Sequence, residues 1–414
     1  MKIIYNFLTA LPVLLLLIFP EVSIQTNLAL EKSGCHSIYL CKSYLNIGVA
    51  DWIIVMMALI IIVNIFLSYG RIFINKTSDF YKVVLISLIY LVIGIFYNIF
   101  VQYNLIAYLY DFKVILYFLV IYYWFQLFCK FEFSSKNFIF VFLIIALGSL
   151  WDYFYIRNFG VIDRPNLISF MPVILPLINI NFVILLMICF KQYRLWLLPL
   201  LIFEILNLYS QAALGSIYAI FVTITFVILY QNKLNKNLFF FILFIFFLFL
   251  NVALPLIMHK FLPYITDIKG DGLDIRVMKT LSAWDNYFMN FPIIIGKGLG
   301  ATYFETVTSI YTNVYSTGVH HEDGNIKFIM HSPLAIFYKF GLIGAFAIMF
   351  VLIKTSVKLF KMPEFKDDNL AKFISLIYPA FVISTVIGPG ILKNAILAGI
   401  FIYISDQKML KVKK

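Results

Sequence analysis

The sequence predicts an all-α protein, a polytopic membrane bundle of about twelve transmembrane helices with one large polar loop late in the chain. Three observations predict it. The first is composition: 63% of the residues are hydrophobic and 13% charged, with a mean hydropathy of +0.96, whereas soluble domains average about 45–50% apolar and about 25% charged. The second is a succession of apolar windows near the roughly 20 residues a helix needs to cross the hydrocarbon core. The third is an asymmetry of positive charge between alternate connecting segments.

The apolar windows run Ile3–Phe19, Trp52–Leu67, Val83–Val101, Val114–Phe128, Phe138–Ile156, Leu167–Phe190, Leu195–Leu208, Ala212–Tyr230, Leu238–Ile257, Leu334–Ile353, Phe373–Ile387 and Ile391–Ile404. The seventh is short and contains Glu204, and the last two are divided by Gly388-Pro389-Gly390, a turn or a kink. The first follows Lys2 as a signal peptide would, but it runs into Phe19-Pro20-Glu21 with no small-x-small site, so a retained helix is expected. The whole chain, 1–414, reads as a single transmembrane domain, with the polar segment 259–330 as its one elaborated loop.

With the amino terminus inside, the cytoplasmic segments hold nineteen lysines and arginines, and the short outer segments hold only Lys32, Lys42, Lys113, Arg157 and Arg164. Positive charge retained on the cytoplasmic side therefore predicts cytoplasmic termini and an outer, periplasmic loop from His259 to Met330. The net charge of +12 is dispersed over loop ends, which argues for a topological cause and against a nucleic-acid partner. Cys35 and Cys41 fall in the first outer loop, where a disulfide is permitted. Cys129 and Cys189 fall at cytoplasmic helix ends, where inert thiols are expected.

Chemistry is expected in the large loop. Its Gly296-Lys297-Gly298-Leu299-Gly300 run lacks the spacing of a nucleotide-binding loop, leaving a structural turn or a backbone approach to a lipid-linked phosphate. His320-His321-Glu322-Asp323 are adjacent residues without further ligands, a poor metal site. Arg276 is the one arginine of this loop among five in the chain, suited either to bidentate phosphate binding or to a salt bridge with Asp271 or Asp274. His331, at the mouth of the tenth window, has the ordinary pKa of a general base near neutrality. Glu204, Lys339 and Lys393 lie inside windows where an ionised group is costly, so each is expected to face the interior with a partner, such as Glu204 with either lysine. A proton or substrate pathway, and hence a flippase or other transporter, is the competing reading of those charges.

Two separated stretches carry a family resemblance. Arg276 through Trp284 to Pro292-Ile293-Ile294-Ile295-Gly296-Lys297-Gly298-Leu299-Gly300, then His331-Ser332-Pro333-Leu334 with Gly341-Leu342-Ile343-Gly344, resemble the O-antigen polymerase and O-antigen ligase superfamily (Wzy/WaaL) of membrane glycosyltransferases. The resemblance covers some seventy residues directly. It implies a bacterial inner-membrane enzyme of lipopolysaccharide O-antigen biosynthesis, catalysing inverting transfer from an undecaprenyl-diphosphate-linked oligosaccharide, with no metal and no cofactor. It implies further that Arg276 grips the donor diphosphate and that His331 deprotonates the acceptor hydroxyl. Membrane lipids and a chain-length regulator are the other partners it suggests.

The chain departs from the family pattern in several places. Ser332 stands where asparagine is common, the gap to the glycine pair is shorter, and Gln211 takes the place of a second diphosphate-binding arginine. Lys297, Lys279 or Arg164 would have to supply the missing charge. No arginine is followed by glycine after ten residues, so the paired arginine–glycine motifs of some polymerases are missing too. A surface-polysaccharide polymerase is the expectation, with a ligase joining the polymer to lipid A core as the alternative.

Overall fold

The computed structural model describes residues 2–18, 49–67, 78–100, 105–129, 176–199, 201–202, 294–301, 303–304, 325–326, 335–360, 369–376 and 391–411. Within them run α1 (Lys2–Ile18), α2 (Val49–Leu67), α3 (Asp79–Phe100), α4 (Leu105–Phe128), α5 (Pro176–Cys189), α6 (Ala335–Phe360) and α7 (Ile391–Lys411). Shorter helical stretches occupy 194–199 and 369–376. Apart from one two-residue antiparallel pair, β1 (Tyr303–Phe304) with β2 (Asn325–Ile326), the regular structure is helical among the described residues. The windows Phe138–Ile156, Ala212–Tyr230 and Leu238–Ile257 lie outside them, as do Cys35, Cys41 and the Gly388-Pro389-Gly390 breaker.

Two helical segments among the described residues, Ala50–Leu67 and Asp111–Phe128, are long and apolar enough to cross a membrane. In α2 the pattern shows why. Ile54, Met57 and Ile61 are buried, while Trp52, Met56, Leu59, Val63 and Phe66, on the opposite stripe, are exposed. A helix apolar on both faces suits an apolar surrounding on its outer one, lipid or further protein. Its 19 residues span about 28 Å at 1.5 Å each, close to the hydrocarbon thickness of about 30 Å.

At the centre stands α4, which packs most extensively on α7 and also meets α1, α2 and α3. Its buried Tyr117, Phe118, Ile121, Tyr122, Trp124 and Phe125 belong to one core cluster that includes Phe80 of α3 and Phe401 and Tyr403 of α7. Phe80 stacks on Tyr122 with ring centroids 3.6 Å apart, and Phe125 on Tyr403 at 5.5 Å. The fourth apolar window opens only at Val114, because Asp111 and Lys113 interrupt the apolar run. The helix nonetheless begins at Leu105. Both charges are tolerated inside it because both are paired, Lys113 with Asp51 of α2 and Asp111 with Lys339 of α6, each at 2.6 Å.

Among the described residues, the longer-range polar contacts gather at two ends of the bundle. At one end the starts of α2, α4 and α6 meet the later part of α3, and Asp51, Lys113, Tyr117, Asp111 and Lys339 form their pairs there. At the other end Asp406 of α7 accepts hydrogen bonds from Tyr122 (2.6 Å) and from Ser78, which precedes α3. Trp124 Nε1 donates to the Thr9 carbonyl of α1 at 2.8 Å on the same side. Cys129 and Cys189, at the ends of α4 and α5, are buried.

Candidate functional site

The end that carries the ion pairs also receives the glycine run of the large loop. Residues 294–300 form a strap laid between α3 and α6, and all of 296–300 is buried. Two pairs of glycines make the fit. A Cβ on Gly296 would collide with the Gly341 backbone, and one on Gly341 with Ile295 and Gly296. Likewise a Cβ on Gly298 would strike Gly94 of α3, and one on Gly94 would strike Leu299. Backbone thus lies directly on backbone at both walls, which only residues without side chains permit.

The strap lies in a break of α6. Gly341 has φ 61° and ψ −175° within that helix, which swings the Tyr338 and Lys339 carbonyls away from the amides of residues 342 and 343 that would ordinarily reach them. The strap fills the vacancy. Lys297 N–H donates to the Tyr338 carbonyl (2.9 Å), Gly298 N–H donates to the Lys339 carbonyl (2.8 Å), and Ile343 N–H donates to the Ile294 carbonyl (3.2 Å). A broken helix is tolerated where neighbouring protein satisfies the released backbone groups, and here the loop does so.

Two further amides complete the seat. Leu299 N–H donates to the Tyr90 carbonyl of α3 at 3.1 Å, and Gly300 N–H donates to Asp111 Oδ2 at 2.6 Å. Four successive amides, 297 to 300, therefore point at protein acceptors. Of the two sequence readings of this run, the turn is the one observed; a phosphate cradle would need those amides aimed at the ligand.

Lys297 itself is enclosed, with 2% of its surface exposed. Its Nζ donates to the Tyr338 hydroxyl at 2.6 Å and sits 4.6 Å from that ring's centroid. Burial lowers its pKa from the ordinary lysine value to about 8. As an expected diphosphate ligand it is badly placed here, because the side chain is enclosed and its ammonium is engaged by the Tyr338 hydroxyl.

Lys339 has the interior partner that its position required, but that partner is Asp111. Its two carboxylate oxygens serve two chain segments, Oδ1 taking Lys339 Nζ and Oδ2 taking the Gly300 amide. Sequence reasoning assigned no role to Asp111, Tyr338, Tyr90 or Gly94. A signal existed for Asp111: it is an acid placed by topology at the same end as a lysine in need of one. Arg276, Lys279, His331, Gln211, Arg164, Glu204 and the His320–Asp323 cluster lie outside the described residues.

No family model, no curated protein and no solved structure matches this chain. The likeness to O-antigen polymerases and ligases accordingly rests on the two sequence stretches that carry it.

Proposed function

We propose that the chain is a multi-pass glycosyltransferase of the bacterial inner membrane, with both termini cytoplasmic, acting as a polymerase of lipid-linked surface-polysaccharide repeat units. One observation carries the reading furthest. The two stretches that bear the family resemblance meet in space, Gly296 against Gly341 and residues 297 and 298 on the carbonyls of 338 and 339. The strap thus couples the loop that holds Arg276 to the helix whose mouth holds His331.

In this reading the donor is an undecaprenyl-diphosphate-linked glycan presented at the periplasmic face. His331 accepts the proton of the acceptor hydroxyl, the hydroxyl oxygen attacks the anomeric carbon, and the bond from that carbon to the diphosphate oxygen breaks with inversion. Arg276 neutralises the diphosphate as it leaves, helped by Lys279, Arg164 and a hydrogen bond from Gln211. Lys297 contributes by holding the strap against Tyr338.

The test is the lipopolysaccharide gel of a deletion strain complemented in turn with wild type, His331→Ala and Arg276→Lys. The deletion is expected to retain core plus one repeat unit. Both variants are expected to insert normally and to make little or no polymer, because alanine removes the base and lysine lacks the bidentate fork. Bare core in the deletion strain would make the protein the ligase instead, and unchanged polymer with His331→Ala would remove the proposed mechanism.

A further inference from the structure

Resting on that reading, we propose that Asp111 is the positioning residue of the transferase site, setting where the large loop stands relative to α6. It is a buried carboxylate, 4% exposed, and its oxygens are divided between the two segments the reaction must bring together. Oδ2 holds the amide of Gly300, the last residue of the strap. Oδ1 holds the ammonium of Lys339, eight residues after His331. A carboxylate that only balanced the lysine charge would have no need to end the strap.

The contacts around Asp111 favour this role over simple charge neutralisation. The amides of Lys297, Gly298 and Leu299 are taken by carbonyls of α3 and α6, whose positions the helices already fix. The fourth, that of Gly300, depends on a side chain. Beyond Gly300 the chain runs to β1, which pairs with β2, so the excursion between them leaves and returns at one place. Asp111 sits at the root of that excursion, and a change in its grip displaces the outer loop while the helices stay packed. It touches neither donor nor acceptor in this account and acts through its hold on the Gly300 amide.

The two functions of the carboxylate can be separated by substitution. Lys339→Gln removes the ion pair and leaves Asp111 to accept from Gly300. Asp111→Asn with Lys339→Gln is neutral and keeps an amide oxygen for the same N–H. Asp111→Lys with Lys339→Asp restores an ion pair of opposite sense but turns an ammonium, a donor, towards the Gly300 amide. Hydrogen exchange of peptides covering 294–301, in purified full-length protein, reads docking directly, and polymer formation in complemented cells reads function.

We expect Lys339→Gln and the neutral pair to keep the strap amides within about threefold of wild-type exchange and to retain polymer. The exchanged pair should fold, with helix amides protected as in wild type, yet exchange at 297–300 at least tenfold faster and lose polymer. An exchanged pair with wild-type strap protection overturns the proposal. So does a folded neutral pair, or a folded Lys339→Gln, with an undocked strap. If the exchanged pair undocks the strap and polymer is nevertheless normal, the positioning of the strap stands and the proposed seat of the transferase reaction fails.

Discussion

Asp111 and Lys339 stand 228 residues apart in sequence and 2.6 Å apart in the fold, both shielded from solvent. A buried pair contributes little net stability by existing, yet removing one partner strands the other at a cost of about 3–5 kcal/mol. Asp111→Ala is therefore expected to lower detergent-solubilised stability by about that amount, against under 1 kcal/mol for an alanine at exposed Lys354. Thermal unfolding of the two variants side by side checks it.

Gly94 gives a prediction of unusual sign. Alanine in place of glycine inside a helix is ordinarily stabilising by about 1 kcal/mol. Here the added methyl would drive into the Leu299 backbone, and backbone cannot step aside as a flexible side chain can. Gly94→Ala should thus destabilise and speed hydrogen exchange at 297–300, and a rise in melting temperature with the strap still protected would contradict the close approach described above.

Lys297 makes the seat of the strap sensitive to pH. Its folded pKa of about 8 lies below the ordinary 10.5, so the unfolded chain binds more protons between those values and stability must rise with pH across that window. Below about pH 8 the cost of the buried charge is constant. Melting temperatures from pH 7 to 10.5 should show this upward contribution in wild type and lose it in Lys297→Met; equal slopes in the two proteins would count against it.

Charge asymmetry fixes a topological prediction. A periplasmically active reporter fused at Gly318 should be active, and a cytoplasmically active one silent. The reverse result would place the strap and its ion pairs at the cytoplasmic end and remove the donor from reach.

Much of the helical scaffold was legible because a long apolar run is itself a simple code: α2 and α3 coincide with apolar windows to within a few residues at each end. The code failed where charges entered a helix. Asp111 and Lys113 hid the first two turns of α4, since a window scan counts them as boundary residues and cannot see partners on α2 and α6. The glycines of the loop and the later glycine pair were visible as stretches that carry chemistry, but not as each other's partners. Close backbone approach is a property of two segments at once, and 296 and 341 are separated by the entire outer part of the loop. Lys339 was legible as a residue needing an acid; Glu204 was the more conspicuous choice because it lies inside a window, whereas Asp111 lies at the edge of one.

The break in α6 also means that this helix does not carry its own shape. The Tyr338 and Lys339 carbonyls and the Ile343 amide find their partners in residues 294–298, outside the helix, so a segment 335–360 taken alone lacks the groups that satisfy its broken turn.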